Sequence, residues 1–356
     1  ISQGSSDPID MDFVESDLIF AGLAGMMDPP RKEVLDAISV SKTAGIRTVM
    51  ITGDHRLTAR AIGKELYIGN GEVIEGSELE RMSEQDLAKR IDEVSIFARV
   101  TAEHKVRIVE ALKKRGNIVA MTGDGVNDAP ALKASDIGVA MGKTGTEVTK
   151  EASDMVIADD NFATIVGAVL EGRRIYDNIR KGTTYLLAVS FAELATIFVA
   201  VLMGFPIPLL AAQILWINVV AEEFPAIGLA LEPAHAQIMT KKPRDPSESM
   251  PSRSLMIYTL IIAAAIVAGT LGLYMASLQM GQDLSYARTM AFVALGFFTV
   301  YNAYSCRSLE ESIFRMNPLE NKTLLLGIAG SVVSILAVVY IPIMQSIFQT
   351  MPLSRE

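Results

Sequence analysis

From Thr183 onward the chain reads as long apolar stretches separated by short polar ones, and no other feature restricts its fold as much. A run of about 17 to 25 mostly apolar residues can cross a bilayer, where only a helix or a closed barrel satisfies its own backbone. Five runs qualify: Thr184 to Met203, Leu209 to Leu231, Leu255 to Leu278, Thr289 to Tyr304 and Leu324 to Ile343. The second is interrupted by Glu222 and Glu223. Residues before about 180 instead mix charges with short apolar runs. Half of the 356 residues are hydrophobic, but unevenly so, and the break marks a soluble region followed by an α-helical transmembrane region in a lipid bilayer.

The soluble part alternates strand-like and helix-like runs. Leu18 to Gly25, Arg47 to Ile51, Val94 to Val100, Asn117 to Met121, Ile137 to Ala140 and Met155 to Ala158 are short and apolar. Pro30 to Ala44, Arg56 to Leu66 and Ala102 to Lys114 have helical spacing. Such alternation predicts an α/β domain with a doubly wound parallel sheet, whose sites lie at the carboxyl ends of its strands. Polar clusters fall at those ends. Thr52-Gly53-Asp54 follows one strand, and Thr122-Gly123-Asp124 follows another. A single Thr-Gly-Asp reads as a turn with an Asp cap. Two in matched positions, one extended by Gly125-Val126-Asn127-Asp128, point to chemistry. Carboxylates and an amide are hard oxygen ligands suited to Mg²⁺, and glycines let backbone approach a phosphate.

Net charge is −9, so no basic field invites nucleic acid. The single cysteine, Cys306, excludes an internal disulfide and a cysteine metal cluster. The polar, acidic start carries no signal peptide and no Met, so the chain is expected to begin inside a longer protein. Basic residues concentrate before the first apolar run, between the second and third, and between the fourth and fifth, which predicts a cytoplasmic soluble region.

Ionisable groups inside apolar runs are site candidates by default. Glu193 lies mid-run in the first. Asn218 and Glu222 stand four apart in the second, on one helical face. Together they would offer an oxygen-ligand cation site. The alternative is a hydrogen-bonded cluster between helices, or Glu222 reaching for an interface. Pro225 favours a site, because it frees a carbonyl one turn earlier. Asn161 to Gly204 has few helix breakers and, if helical, would run about 65 Å from the soluble region to Glu193.

Met121 to Gly142 resembles the hinge motif of P-type ATPases, and the segment Ala98 to Lys105 resembles their phosphate-binding lysine segment. The resemblance implies a phosphorylation domain of the haloacid-dehalogenase fold, ATP as substrate and Mg²⁺ as cofactor. Carried over by position, Thr52 and Gly53 would contact the phosphoryl group, and Asp54 the nucleotide side. Lys105 would neutralise phosphate charge, although its position alone reads as a solvated helix lysine. Asp124 would ligate Mg²⁺, supported by Asn127 and Asp128, while Asp28 and Arg99 match positions near the nucleotide. The implied division is a nucleotide-domain tail at 1–16, a phosphorylation domain at 17–165, a stalk at 166–182 and a membrane domain at 183–350. The family's phosphorylated aspartate sits in Asp-Lys-Thr-Gly-Thr, a string this chain lacks; Gly142 to Thr146 is a lookalike with glycine in the aspartate's place. The nucleophile is therefore expected before residue 1, and a tenth membrane helix after residue 356.

Within that superfamily the membrane runs are most similar to calcium pumps, which implies a transported Ca²⁺ on Glu193, Asn218 and Glu222. Ala221 replaces a threonine ligand, Glu222 an aspartate and Glu223 a glycine. Thr299, near Asn302, stands where two-site pumps carry an acid, so one ion per cycle is expected. Phe224 to Leu229 also resembles sodium and potassium efflux pumps, and Glu223 leaves a monovalent cation or a proton open. Rival readings are a membrane-anchored phosphatase and a scaffold with a degenerate catalytic domain. The resemblance implies a multi-pass plasma-membrane protein with no obligate protein partner.

Overall fold

The computed structural model describes residues 18–22, 30–68 and 72–353. Asp28, the segment 1–16 and part of the expected strand at Leu18 to Gly25 lie outside them, and residues 18–22 carry no regular secondary structure. Helix α1 (Lys32–Thr43) leads to strand β1 (Met50–Ile51), helix α2 (Arg56–Glu65) and strand β2 (Glu72–Glu75). Two short helices, α3 (Gly76–Arg81) and α4 (Glu84–Arg90), precede β3 (Val94–Ala98) and α5 (Ala102–Lys114). Then come β4 (Ala120–Gly123), α6 (Ala129–Ala134), β5 (Ile137–Met141), α7 (Glu147–Glu151) and β6 (Met155–Ile157). Strand β2 and helices α3 and α4 were not anticipated: their apolar residues are too sparse to set a period.

Among the described residues all pairings are parallel, as the alternation implies, but the strands form two sheets, β1-β3-β2 and β4-β5-β6, rather than one. Both strands that end in Thr-Gly-Asp, β1 and β4, lie at sheet edges. Helix α5 underlies both. Thr101 caps it, accepting from His104 N at 3.4 Å, and its buried face carries Ile108, Val109, Ala111 and Leu112. Ile108 and Leu112 pack with Ile74 and Phe97 of the first sheet, Val109 with Met121 of the second and Leu132 of α6; Ile51 and Val119 touch both clusters. Each fully buried aliphatic side chain contributes about 1.5–3 kcal/mol, so one amphipathic helix joins the sheets through shared apolar contacts.

Helix α8 (Phe162–Leu202) has 41 residues and spans about 60 Å. Asn161 starts it, accepting from Ala163 N at 2.9 Å. Phe162 packs with Ile38 and Leu66 in the soluble region, and the far end enters the apolar bundle through Ala192 and Ala200. Among the described residues three further helices are long and apolar enough to cross a membrane: α11 (Arg253–Gln279), α12 (Leu284–Ser305) and α13 (Lys322–Tyr340). Pro342 starts a separate short helix, α14 (Pro342–Phe348), where the sequence suggested that the last span continues.

The second apolar run, Leu209 to Leu231, is not one helix. It divides into α9 (Ala211–Trp216), a π-turn at Ile217–Ala221 and α10 (Glu223–Ala230). The cause is local and then tertiary. Pro225 has no N–H for the carbonyl of Ala221, and Ser331 of α13 supplies a hydroxyl to it at 2.7 Å. The extra residue is absorbed as Glu222 N bonds Ile217 O, five residues back, at 2.8 Å.

Candidate functional site

At the end of β1 the backbone turns sharply. Thr52 N donates to Phe97 O at 2.9 Å, Val100 N returns to Thr52 O at 3.3 Å, and Arg99 N reaches Asp54 O at 3.1 Å. The exits of β1 and β3 are thereby laced together, and Arg99 takes a left-handed φ of 50° to make the last bond. For a residue other than glycine that costs about 1–2 kcal/mol, which the three backbone bonds offset. The Thr52 hydroxyl donates to Asp54 Oδ2 at 2.8 Å and accepts from Asp54 N at 3.1 Å. Gly53, Asp54 and Arg99 are exposed, and Thr52 is half-buried.

At the end of β4 the turn Gly123-Asp124-Gly125 leads into a short 3-10 turn, Val126–Asp128. Asp128 is buried beneath it and accepts from Asp124 N at 3.3 Å and Gly125 N at 3.1 Å. Gly123 permits this, since a Cβ there would stand 2.4 Å from the Cβ of Asp128. The other carboxylate oxygen of Asp128 pairs with Lys105 Nζ from the first turn of α5. Lys105 is thus anchored rather than solvated, correcting the reading its position alone suggests. Asn127 is exposed, and so is Asp124.

The Gly142 to Thr146 loop also faces this turn. Thr146 N donates to Asp124 O at 3.1 Å, and the buried Thr149 hydroxyl reaches the same carbonyl at 3.4 Å. The loop is pinned from behind by Asp160, which accepts from Lys143 N at 2.9 Å and Thr144 N at 2.8 Å. The Lys143 N–H holds the Asp160 carboxyl below the usual carboxylate range. A lookalike motif therefore serves as the brace of Asp124. The sequence offered no sign of this, because Asp124, the loop and Asp160 follow three different strands of the second sheet.

Among the described residues no cluster of three or more acidic, histidine or cysteine side chains could cage a metal. Asp128 is neutralised by Lys105, whereas the Asp124 carboxylate has no side-chain partner there. One free carboxylate at a glycine-flanked turn suits Mg²⁺, which keeps several waters and takes one or two protein carboxylates. The residues present fit that ion.

In the membrane half, Glu193 of α8 and Glu222, at the junction of the π-turn and α10, are 6% and 5% exposed. Their carboxyl groups are close enough to interact, and the half-buried Asn218 lies beside Glu193. One carboxyl oxygen of each glutamate has no hydrogen-bond partner among the described residues. Tyr185 donates to the Glu222 carbonyl at 3.3 Å, holding the break. Glu223 is exposed. Thr299 is buried with its hydroxyl on Leu295 O at 2.9 Å, and Asn302 is buried with its amide oxygen accepting from Cys306 Sγ at 3.5 Å. The structure thus gathers Glu193, Asn218 and Glu222 and leaves Glu223 exposed. Thr196 and Ser331, which sequence reasoning passed over, belong to the same neighbourhood. A hydroxyl one turn from Glu193 was the only available sign of Thr196.

Comparison with known proteins covers most of the chain. Residues 8–136 match the haloacid dehalogenase-like hydrolase family, and residues 206–356 match the C-terminal region of cation transporting ATPases. Calcium-transporting ATPase 1 of Bacillus cereus is 45% identical over 97% of this chain and 41% of its own length. The calcium-transporting ATPase of Bacillus subtilis is 44% identical over 97% of the chain and 39% of its own length. Calcium-transporting ATPase type 2C member 1 of Pongo abelii is 42% identical over 95% of the chain and 37% of its own length. The chain spans about two fifths of the length of the curated relatives it matches.

Proposed function

We propose that this chain, which belongs to the P-type cation-transporting ATPases, is the part of an ATP-driven pump that couples an aspartyl phosphate to a Ca²⁺ site in the membrane. The observation that carries this reading is the pair of buried membrane carboxyl groups, Glu193 and Glu222, each with an unpartnered oxygen. Carboxyl groups at such depth are costly and have a use when they receive a cation. With Glu223 turned outward and no acid at Thr299, the set suits one Ca²⁺ per cycle.

The edges of β1 and β4 support the phosphate half of the reading. One parallel strand between them would join the two sheets and bring its carboxyl end between Thr52 and Asp124. In this reading the phosphorylated aspartate sits on such a strand, in the portion of the protein outside this chain. Thr52 and Gly53 contact the phosphoryl group as it passes from ATP to that aspartate and ADP leaves, with Asp54 and Arg99 on the nucleotide side. Lys105, oriented by Asp128, balances phosphate charge; Asn127 lies at the mouth. Mg²⁺, held by Asp124, supplies positive charge to the phosphate oxygens when bound.

Coupling runs through α8. Arg173 on this helix donates to Ala44 O at 2.7 Å, Ile238 O at 3.0 Å and Lys241 O at 2.7 Å, tying α1 to the loop that follows α10. Asn178 donates to Ala230 O at 3.1 Å and Glu232 O at 2.8 Å. A tilt of the phosphorylation domain would therefore move α8 and α10, and with them Glu193 and Glu222. The soluble part faces the cytoplasm, at the plasma membrane. The test is acyl-phosphate formation from ATP in the full-length protein, titrated with Ca²⁺, Na⁺ and K⁺. Ca²⁺ should stimulate it, and Glu193→Gln or Glu222→Gln should remove that response. Stimulation by Na⁺ or K⁺ instead, or an intact Ca²⁺ response in both variants, would overturn the assignment.

A further inference from the structure

Buried hydroxyls in the membrane helices are mostly committed to their own helix. Thr184, Thr259, Ser277 and Thr289 donate to the carbonyl four residues back at 2.8 Å, and Thr299 does so at 2.9 Å. Thr196 does not. It is 0% exposed, and its Oγ1 has no partner among the described residues. Thr270 shares that condition, but its helix α11 carries no carboxylate. Leaving a buried hydroxyl unpaired is unfavourable, so a partner of another kind is called for.

Thr196 follows Glu193 by three residues, on the same face of α8 and about 4.5 Å further along its axis. Ala192 and Ala200 of α8 belong to the same buried cluster as Ile217 and Ala221 of the π-turn. Leu194 and Phe198, on the other side of the helix, are exposed.

The coordination of Ca²⁺ requires roughly six to eight oxygens. Two bidentate carboxylates and one amide oxygen supply about five. We propose that Thr196 Oγ1 is a further ligand of the transported cation, accepting it through a lone pair. It stands on the side of Glu193 nearer the end of α8 that leads away from the soluble domain. The proposal rests on the reading of Glu193, Asn218 and Glu222 as a cation site. A hydroxyl ligand adds an oxygen without charge, which lets two carboxylates neutralise one divalent ion.

The test compares Thr196→Val, Thr196→Ala and Thr196→Ser in the full-length protein, by the Ca²⁺ dependence of acyl-phosphate formation. Valine and alanine should each raise the half-saturating Ca²⁺ concentration by about tenfold, the weight of one lost polar contact. Serine, which keeps the hydroxyl, should stay within about twofold of the parent. Alanine adds no bulk, so it keeps the test decisive if valine fails to fold. A parental Ca²⁺ response in alanine, or serine as impaired as alanine, would overturn the proposal; the second result would mean that the methyl group's packing is what matters. Glu193→Gln serves as the reference. Loss of the response there with a silent Thr196→Ala sinks Thr196 alone, whereas an intact response in Glu193→Gln sinks the cation site itself.

Discussion

Replacing Arg307 with methionine should destabilise the membrane half far more than replacing Arg307 and Glu232 together. Both side chains are 1% exposed, and their charged atoms approach to 2.9 Å. Arg307 Nε also donates to Glu232 Oε1 at 3.0 Å, and Nη1 to Asn317 O at 3.0 Å. Asn321 closes the other side, donating to Glu232 Oε2 at 2.5 Å and Gly228 O at 2.8 Å. The pair thus binds the ends of α10, α12 and α13 where they leave the apolar bundle. Removing one partner leaves a buried charge uncompensated, at a cost of about 3–5 kcal/mol. For a region of this size that corresponds to a fall in Tm of about 6–20 °C. In Glu232→Gln/Arg307→Met no charge remains, and Gln keeps an acceptor for Asn321. The cost shrinks to the lost bond to Asn317 and imperfect packing, about 1–2 kcal/mol. Cys306, the chain's one cysteine, is fully buried beside Arg307, so labelling by a thiol-reactive dye during a thermal ramp reports unfolding at this point. If the double variant melted at or below the Tm of Arg307→Met, the reasoning from uncompensated charge would be refuted.

Two further outcomes are expected. Gly228→Ala would set a Cβ 2.4 Å from Leu324 Cα, forcing α10 from α13 at a cost of about 1–3 kcal/mol, while Gly272→Ala meets nothing within 4 Å and should be neutral or slightly stabilising in the same thermal assay. Asp160→Asn should lower the Tm of the soluble half at pH 7, and the gap to the parent should close under acid conditions. The reason is that the Asp160 carboxyl is held below its usual range, chiefly by the Lys143 N–H. Its contribution is complete above the unfolded value of about 3.9 and is lost as pH falls through the lower folded value. Asn tolerates the left-handed φ of 57° at this position, so backbone strain does not confuse the comparison. A gap independent of pH would count against the charge.

Elements with strong local signals were legible in the residues. The turns after β1 and β4 follow from Thr-Gly-Asp behind β-branched runs, and α5 from Thr101 and its apolar spacing. Other features depended on partners far along the chain. The π-turn needs Ser331, which lies 110 residues from Ala221. Residues Lys105 and Asp128 come from separate elements, and nothing in either segment announces their pairing. The role of Gly142 to Thr146 hung on Asp160 behind it and Asp124 in front.

What the sequence determined by itself is the inventory: strands that end in carboxylates and glycines, helices long enough for a bilayer, and acids at depth within them. Periodicity and hydrophobicity act over a few turns, so they are written locally. Only the tertiary structure decided which groups are satisfied and which are not. It neutralised Asp128 with Lys105 and left Asp124 free. It turned Glu223 out and Glu222 in, closed the hydroxyl of Thr299 on its own helix and left that of Thr196 open. The difference arises because the state of a buried polar group is set by the atoms packed around it, which come from distant parts of the chain.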